Sequence, residues 1–214
     1  MTATKPTADQ TAAANPDLAN PDLANPDLAT AQTMLRAALG QITWARNYSL
    51  ELLTAIPRSM WFDIPTFGKL GGDDAAHHPT EVVPATNIAW QVGHLAVSQY
   101  GLMMFRIHGR RDDDLELIPG KFRKAFSRGS DPRGITAASA SPDELLDRLR
   151  RVHESAMRGL TEGFDPQVLL EPVDMPYAVY PTKLGAILFC PLHEQIHSGQ
   201  IGLIRRALGL APIR

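Results

Sequence analysis

Residues His193–Gln200, HEQIHSGQ, place two histidines four apart, with a glutamate directly after the first. On a helix that spacing stacks both imidazoles on one face, one turn apart, which suits a shared metal ion. The string H-E-x-x-H also marks zinc peptidases, and counting ligands tests that reading. Such a peptidase needs a third protein ligand further along the chain. The position where one large group carries histidine is Leu203 here, and no glutamate follows Glu194 before Arg214. The peptidase reading fails, and a third ligand must come from upstream.

The upstream candidates are His77, His78, His94, His108 and His153. His77 and His78 lie in a Gly/Asp/Pro loop and read as exposed. His108 ends an apolar run beside Gly-Arg-Arg, where a charged imidazole favours a helix C-terminus. His153 follows Val152 on a charged stretch and reads as facing the polar side. His94 differs. Trp90, Val97 and Gly101 share its face at i−4, i+3 and i+7, which turns it inward.

Four amphipathic segments must position these residues. Leu35, Ala38, Leu39, Ile42, Ala45, Tyr48, Leu52 and Ile56 recur at steps of three and four, predicting a helix from near Thr30 to Pro57. A second helix is predicted from Thr86 or Asn87 to about His108. A third begins at Ser141, an N-cap followed by Pro142 and acids in the first turn. The fourth runs from Pro181 or Thr182 to Gly209, with Arg205 and Arg206 in its last turn and Pro191 expected to kink it. No strand pattern competes, so the fold class is all-α and the architecture a four-helix bundle, a fold that often builds metal sites from inward side chains. The connections over about 57–83 and 109–140 are longer than a plain up-and-down bundle needs.

The N-terminus is different in kind. Three identical NPDLA pentapeptides run from Asn15 to Ala29. A period that short cannot make a solenoid unit, and one leucine per repeat buries too little to offset chain entropy. Residues 1–30 therefore read as a flexible, disordered tail and residues 31–214 as the bundle. The 214 residues are 44% hydrophobic with a formal charge of −2 and one cysteine, Cys190. That composition excludes an internal disulfide framework, offers no basic surface for nucleic acid, and contains no span for a membrane. With no secretory signal visible, the chain reads as a soluble cytoplasmic protein.

NIAWQVGHL followed about a hundred residues later by HEQIHSGQI resembles the DinB superfamily, the DinB/YfiT-like bundles. The resemblance covers roughly residues 31–210 and implies an up-down-down-up topology with one long crossover. It implies a divalent metal, zinc or nickel, held by His94, His193 and His197. Three neutral imidazoles leave at least one coordination position open, as in catalytic sites. Relatives of this kind imply a transferase using a low-molecular-weight thiol. A metal-dependent hydrolase and a non-catalytic metal or small-ligand binder are the alternatives. Glu194 is the candidate general base, with a partly exposed helix acid as the plainer reading, and Cys190 is a candidate fourth ligand or a small core residue. The basic, aromatic segment KFRKAFSR, Lys121–Arg128, is a candidate to hold the carboxylates of a thiol cofactor near the bundle mouth, with a solvated loop as the plainer reading. Tyr177 and Tyr180 are candidates to line that mouth or to serve as packing residues. The expected partner is a small-molecule substrate, with no nucleic acid or membrane and a homodimer left open.

Overall fold

The computed structural model describes residues 25–65, 86–174 and 178–213. Helix α1 spans Leu28–Thr54, α2 Ile88–Tyr100, α3 Arg106–His108, α4 Asp114–Leu117, α5 Gly120–Phe126, α6 Pro142–Gly159 and α7 Lys183–Ala207. A π-helical segment, Gly101–Phe105, joins α2 to α3 without a break. No β-strand occurs among the described residues, only a single bridge between Pro172 and Thr182. The described fold is thus all-helical. Among the described residues no helix is long and apolar enough to cross a membrane.

The helix ends follow from local chemistry. α6 opens on a full capping box, in which Ser141 accepts from the Glu144 amide and Glu144 accepts from the Ser141 amide. α7 starts after Thr182 and closes at Gly209, whose φ of 79° only glycine adopts without strain. α1 begins two residues earlier than the periodicity predicts, because Asp27 of the third pentapeptide caps it by accepting from the Thr30 amide at 2.7 Å. Residues 1–24 of the expected tail, and most of the 57–83 connection with His77 and His78, lie outside the described residues.

Packing decides where each helix sits. The α6 stripe Leu145, Leu149, Val152 and Ala156 is buried, and α6 lies along α2 while α1 lies along α7. Burying one such leucine contributes about 1.5–3 kcal/mol, against about 1 kcal/mol for the cap. The cap therefore chooses the first residue and the stripe chooses the partner. The expected α1 stripe is only partly right. Leu39 and Tyr48 are half-buried, and two polar residues, Arg46 and Ser49, occupy the inward face instead.

The connection over 109–140 is not plain loop. α5 within it packs Phe126, fully buried, directly onto α2 at Gly93. A Cβ on residue 93 would overlap the Phe126 ring well inside van der Waals contact. Gly93→Ala should therefore destabilise the protein by about 1–3 kcal/mol, despite alanine's better helix propensity. A denaturant melt reads this directly, and an unchanged midpoint would mean that α5 does not bear on α2.

Candidate metal centre

α7 carries His193 and His197 one turn apart, and α2 brings His94 against them. The ring centroids are 4.5 Å apart for His193 and His197, 4.7 Å for His94 and His197, and 5.3 Å for His94 and His193. One potential ligand atom from each residue lies within 4.8 Å of the other two. Trp90, one turn before His94, stacks on its ring at 4.5 Å and 8°. That plane-to-plane contact fixes the imidazole against the side of α2.

The outer hydrogen bonds choose the tautomers. His94 Nδ1 lies 2.8 Å from the Phe126 carbonyl oxygen, which can only accept, so Nδ1 carries the proton and Nε2 the lone pair. His197 Nδ1 bonds Gln91 Oε1, and Gln91 Nε2 in turn donates to Gln200 Oε1 at 2.7 Å. Gln91 is fully buried, and with its Nε2 donating to Gln200 its oxygen faces the imidazole. Partners of this kind aim a metal-ligating histidine and raise its basicity.

The cluster is also held neutral. Burial lowers the His94 pKa against the smaller opposing effect of the Phe126 carbonyl. Burial, then the neighbouring imidazole charges, lowers His193 to about 4 and His197 to about 3. Unprotonated rings with free lone pairs are what a divalent ion of borderline softness binds. The donor set fits such an ion, and the three histidines can hold one.

Above His94 and His193 opens a cavity of about 770 Å³. Ser98 lines it, with its hydroxyl 3.2 Å from His94 Nε2, so the hydroxyl donates there. The walls include Val97, Leu102, Phe105, Phe189 and Ile196. The π-helical segment supplies two of these. Its i+5 bonding turns Leu102 and Phe105 to the cavity, and such bulges recur at functional sites.

Glu194 is not placed as the sequence reading expected. It is 1% exposed and absent from the cavity lining. Its Oε1 accepts from Arg46 Nε and Ser49 Oγ, both at 2.8 Å, and its Oε2 accepts from Arg46 Nη2 at 2.9 Å. Burial raises its pKa, but the Arg46 charge and these hydrogen bonds outweigh that and hold it below the usual carboxylate range. The reason is rotational. On a helix Glu194 points about 100° away from His193, and that direction is filled by α1. A carboxylate already bonded on both oxygens is a poor base.

The other candidates separate cleanly. Cys190 is buried in the core and burial pushes its thiol pKa up, so it behaves as a small apolar residue. His153 is half-buried and faces inward, not outward: Gln99 Nε2 donates to its Nδ1 at 3.0 Å, and burial with the Arg46 charge lowers its pKa to about 4. His108 bonds its neighbour Gly109 and stands apart from the cluster. Tyr180 is buried outside the cavity lining, and Tyr177 lies outside the described residues. Arg46, Gln91, Ser98 and the Phe126 carbonyl went unrecognised in the sequence.

Two outcomes follow. Glu194→Gln should cost about 3–5 kcal/mol in a denaturant melt, because Arg46 loses its buried partner, and Arg46→Met with Glu194→Leu should recover most of it. A loss below about 1 kcal/mol would place the pair in a wetter environment than described. Acid should also unfold the metal-free protein. Its buried and half-buried imidazoles, His153, His193 and His197, have folded pKa values below the ordinary 6.5, so stability is complete above that pH. It should drain away as pH falls toward about 4, and a flat stability profile over that range would contradict the burial.

The chain matches the family model for the DinB superfamily over residues 41–201. None of the curated proteins matches it. The matched span holds α2, the histidine pair and the Arg46–Glu194 contact, and begins inside α1. With an all-helical fold and a three-histidine cluster inside that span, the chain belongs to the DinB superfamily.

Proposed function

We propose that this protein is a metal-dependent S-transferase: His94, His193 and His197 hold one zinc or nickel ion, and a low-molecular-weight thiol reacts with an electrophilic small molecule. The observation that carries this reading is a neutral three-histidine cluster, with the tautomers of His94 and His197 set by outer hydrogen bonds, beside a cavity with no carboxylate among its described lining residues. In the transfer, the thiol releases its proton to solvent, its sulfur's electron pair forms the bond to carbon, and the leaving group departs with the electrons of the bond that breaks. A bound divalent ion would supply Lewis acidity, lowering the pKa of a thiol or polarising an oxygen.

The protein's own groups divide the remaining work. Phe126 and Gln91 hold the protons of His94 and His197 away from the lone pairs. Ser98 donates to His94 Nε2; with an ion bound at that nitrogen, the hydroxyl would be left to donate to a cavity occupant. Val97, Leu102 and Phe189 give the reacting groups an apolar wall to lie against. Hydrolysis is the runner-up. It needs a residue to take the proton of water, and the nearest carboxylate in sequence, Glu194, is committed to Arg46. That commitment favours the thiol over water. In this reading the four long helices form an up-down-down-up four-helix bundle. The length of the α2–α6 connection, with its own helices α4 and α5, supports the single crossover. A cytoplasmic setting, where small thiols stay reduced, fits the chemistry.

Metal analysis is the first test. Protein made with ample zinc or nickel should hold about one ion per chain, and His94→Ala or His197→Ala should lose it. Gln91→Leu should keep the ion but bind it about 10–100-fold more weakly in a chelator competition. Turnover of activated halides or epoxides should then require both the ion and an added thiol. Ester or amide hydrolysis without thiol would replace this reading with the runner-up. A fully loaded protein inert to all of these would leave a non-catalytic binder.

A further inference from the structure

The cavity above the histidines is strongly one-sided in charge. Arg106, Arg123 and Arg128 all line it, and no aspartate or glutamate does among the described residues. The nearby carboxylates are turned elsewhere. Asp114 is buried and accepts from Tyr100 Oη at 3.1 Å and from the Arg111 amide at 2.9 Å. Asp174 acts on Arg106 through its charge but is not part of the lining.

Arg106 is set in place rather than waving in solvent. Its Nη1 donates to the Gly101 carbonyl at 3.0 Å, folding the guanidinium back onto the π-helical segment. It is half-buried, and burial is the main influence lowering its pKa. A partly desolvated guanidinium with one nitrogen anchored keeps its other N–H groups available for bidentate pairing. Arg123 projects from α5 on the same rim, one turn before Ser127, whose hydroxyl bonds the Arg123 carbonyl at 2.5 Å. The same cavity is lined by the apolar side chains of Phe105, Phe189 and Ile196 as well as by His94 and His193.

We infer that this cavity binds an amphipathic organic anion, with its carboxylate held by Arg106 and Arg123 and its apolar body lying against Phe105, Phe189 and Ile196 toward the histidines. The inference deepens the proposed function, because the same cavity takes the reactant, yet the arginines and the apolar walls are placed without any ion. Arg106 and Arg123 line one opening with no carboxylate among its described lining residues, so an anion is attracted and a cation is repelled. The apolar walls exclude a small, fully hydrated anion such as inorganic phosphate as the preferred occupant, since it would cover none of them. The predicted class is therefore an aryl or alkyl carboxylate with its reactive carbon remote from the carboxylate.

The test compares isosteres on the whole chain. 4-Phenylbutyrate and the neutral 4-phenylbutyramide compete against a fluorescent naphthalene sulfonate, in metal-loaded and in chelator-treated protein. The acid should bind about 10–100-fold more tightly than the amide, the span expected for charge-assisted hydrogen bonds. The advantage should shrink with added salt. Arg106→Gln with Arg123→Gln should erase the preference while leaving the amide's affinity and the metal content unchanged. Equal binding of acid and amide by the wild type would overturn the inference, as would an undiminished preference in the double variant. If that variant does not fold, the wild-type comparison and its salt dependence decide alone. Failure of the metal reading is seen separately, as protein without an ion that still prefers the acid.

Discussion

A buried ion pair between the first and last long helices, Arg46 with Glu194, sets the geometry of everything around it. Neither charge has access to water, and an isolated charge in such a place would cost several kcal/mol. The cost is offset only because the guanidinium also donates to the Leu149 carbonyl of α6 and to Gln99 of α2. All four long helices thus meet at one side chain. Rotating α7 by even a third of a turn would strand both charges. With Glu194 turned toward α1, His193 and His197 have one direction left, toward α2. The glutamate that resembles a peptidase base serves as a rotational key.

A second coupling runs through α5. Its aromatic ring lies on Gly93 while its last carbonyl holds the His94 proton. Apolar packing in a connecting segment therefore sets the protonation pattern of a residue at the cluster. The same segment carries Arg123 to the cavity rim. Core, tautomer and electrostatics are linked over a helix of two turns, and none of the three is adjustable alone.

Much of this was legible in the residues and some of it was not. The i, i+4 histidines, the inward turn of His94, the box at Ser141 and the start of α7 after Thr182 are local features. Each depends on neighbours within about a turn, so spacing suffices to read them. Arg46 and Gln91 depend on partners far away in sequence: Arg46 pairs with Glu194 across 148 positions and Gln91 with His197 across 106. A single arginine or glutamine in an apolar stripe looks like a surface residue until its partner is known. Phe122 and Phe126, four apart in KFRKAF, were a usable helix signal masked by their basic neighbours. The π-helical turn left no mark at all. GLMMF satisfies an ordinary helix equally well, and only packing selects the wider turn.

The cap on α1 also bears on how this chain can change over generations. Asp27, Leu28 and Ala29 close the third pentapeptide and open the helix. Tandem copies in a gene are prone to slippage, which adds or removes whole units. Because all three copies are identical, losing or gaining one leaves the same Asp-Leu-Ala joined to Thr30. The aspartate then arrives at the same amide from a different copy. The length of the N-terminal array can drift in steps of five residues while the entry to the bundle stays chemically constant.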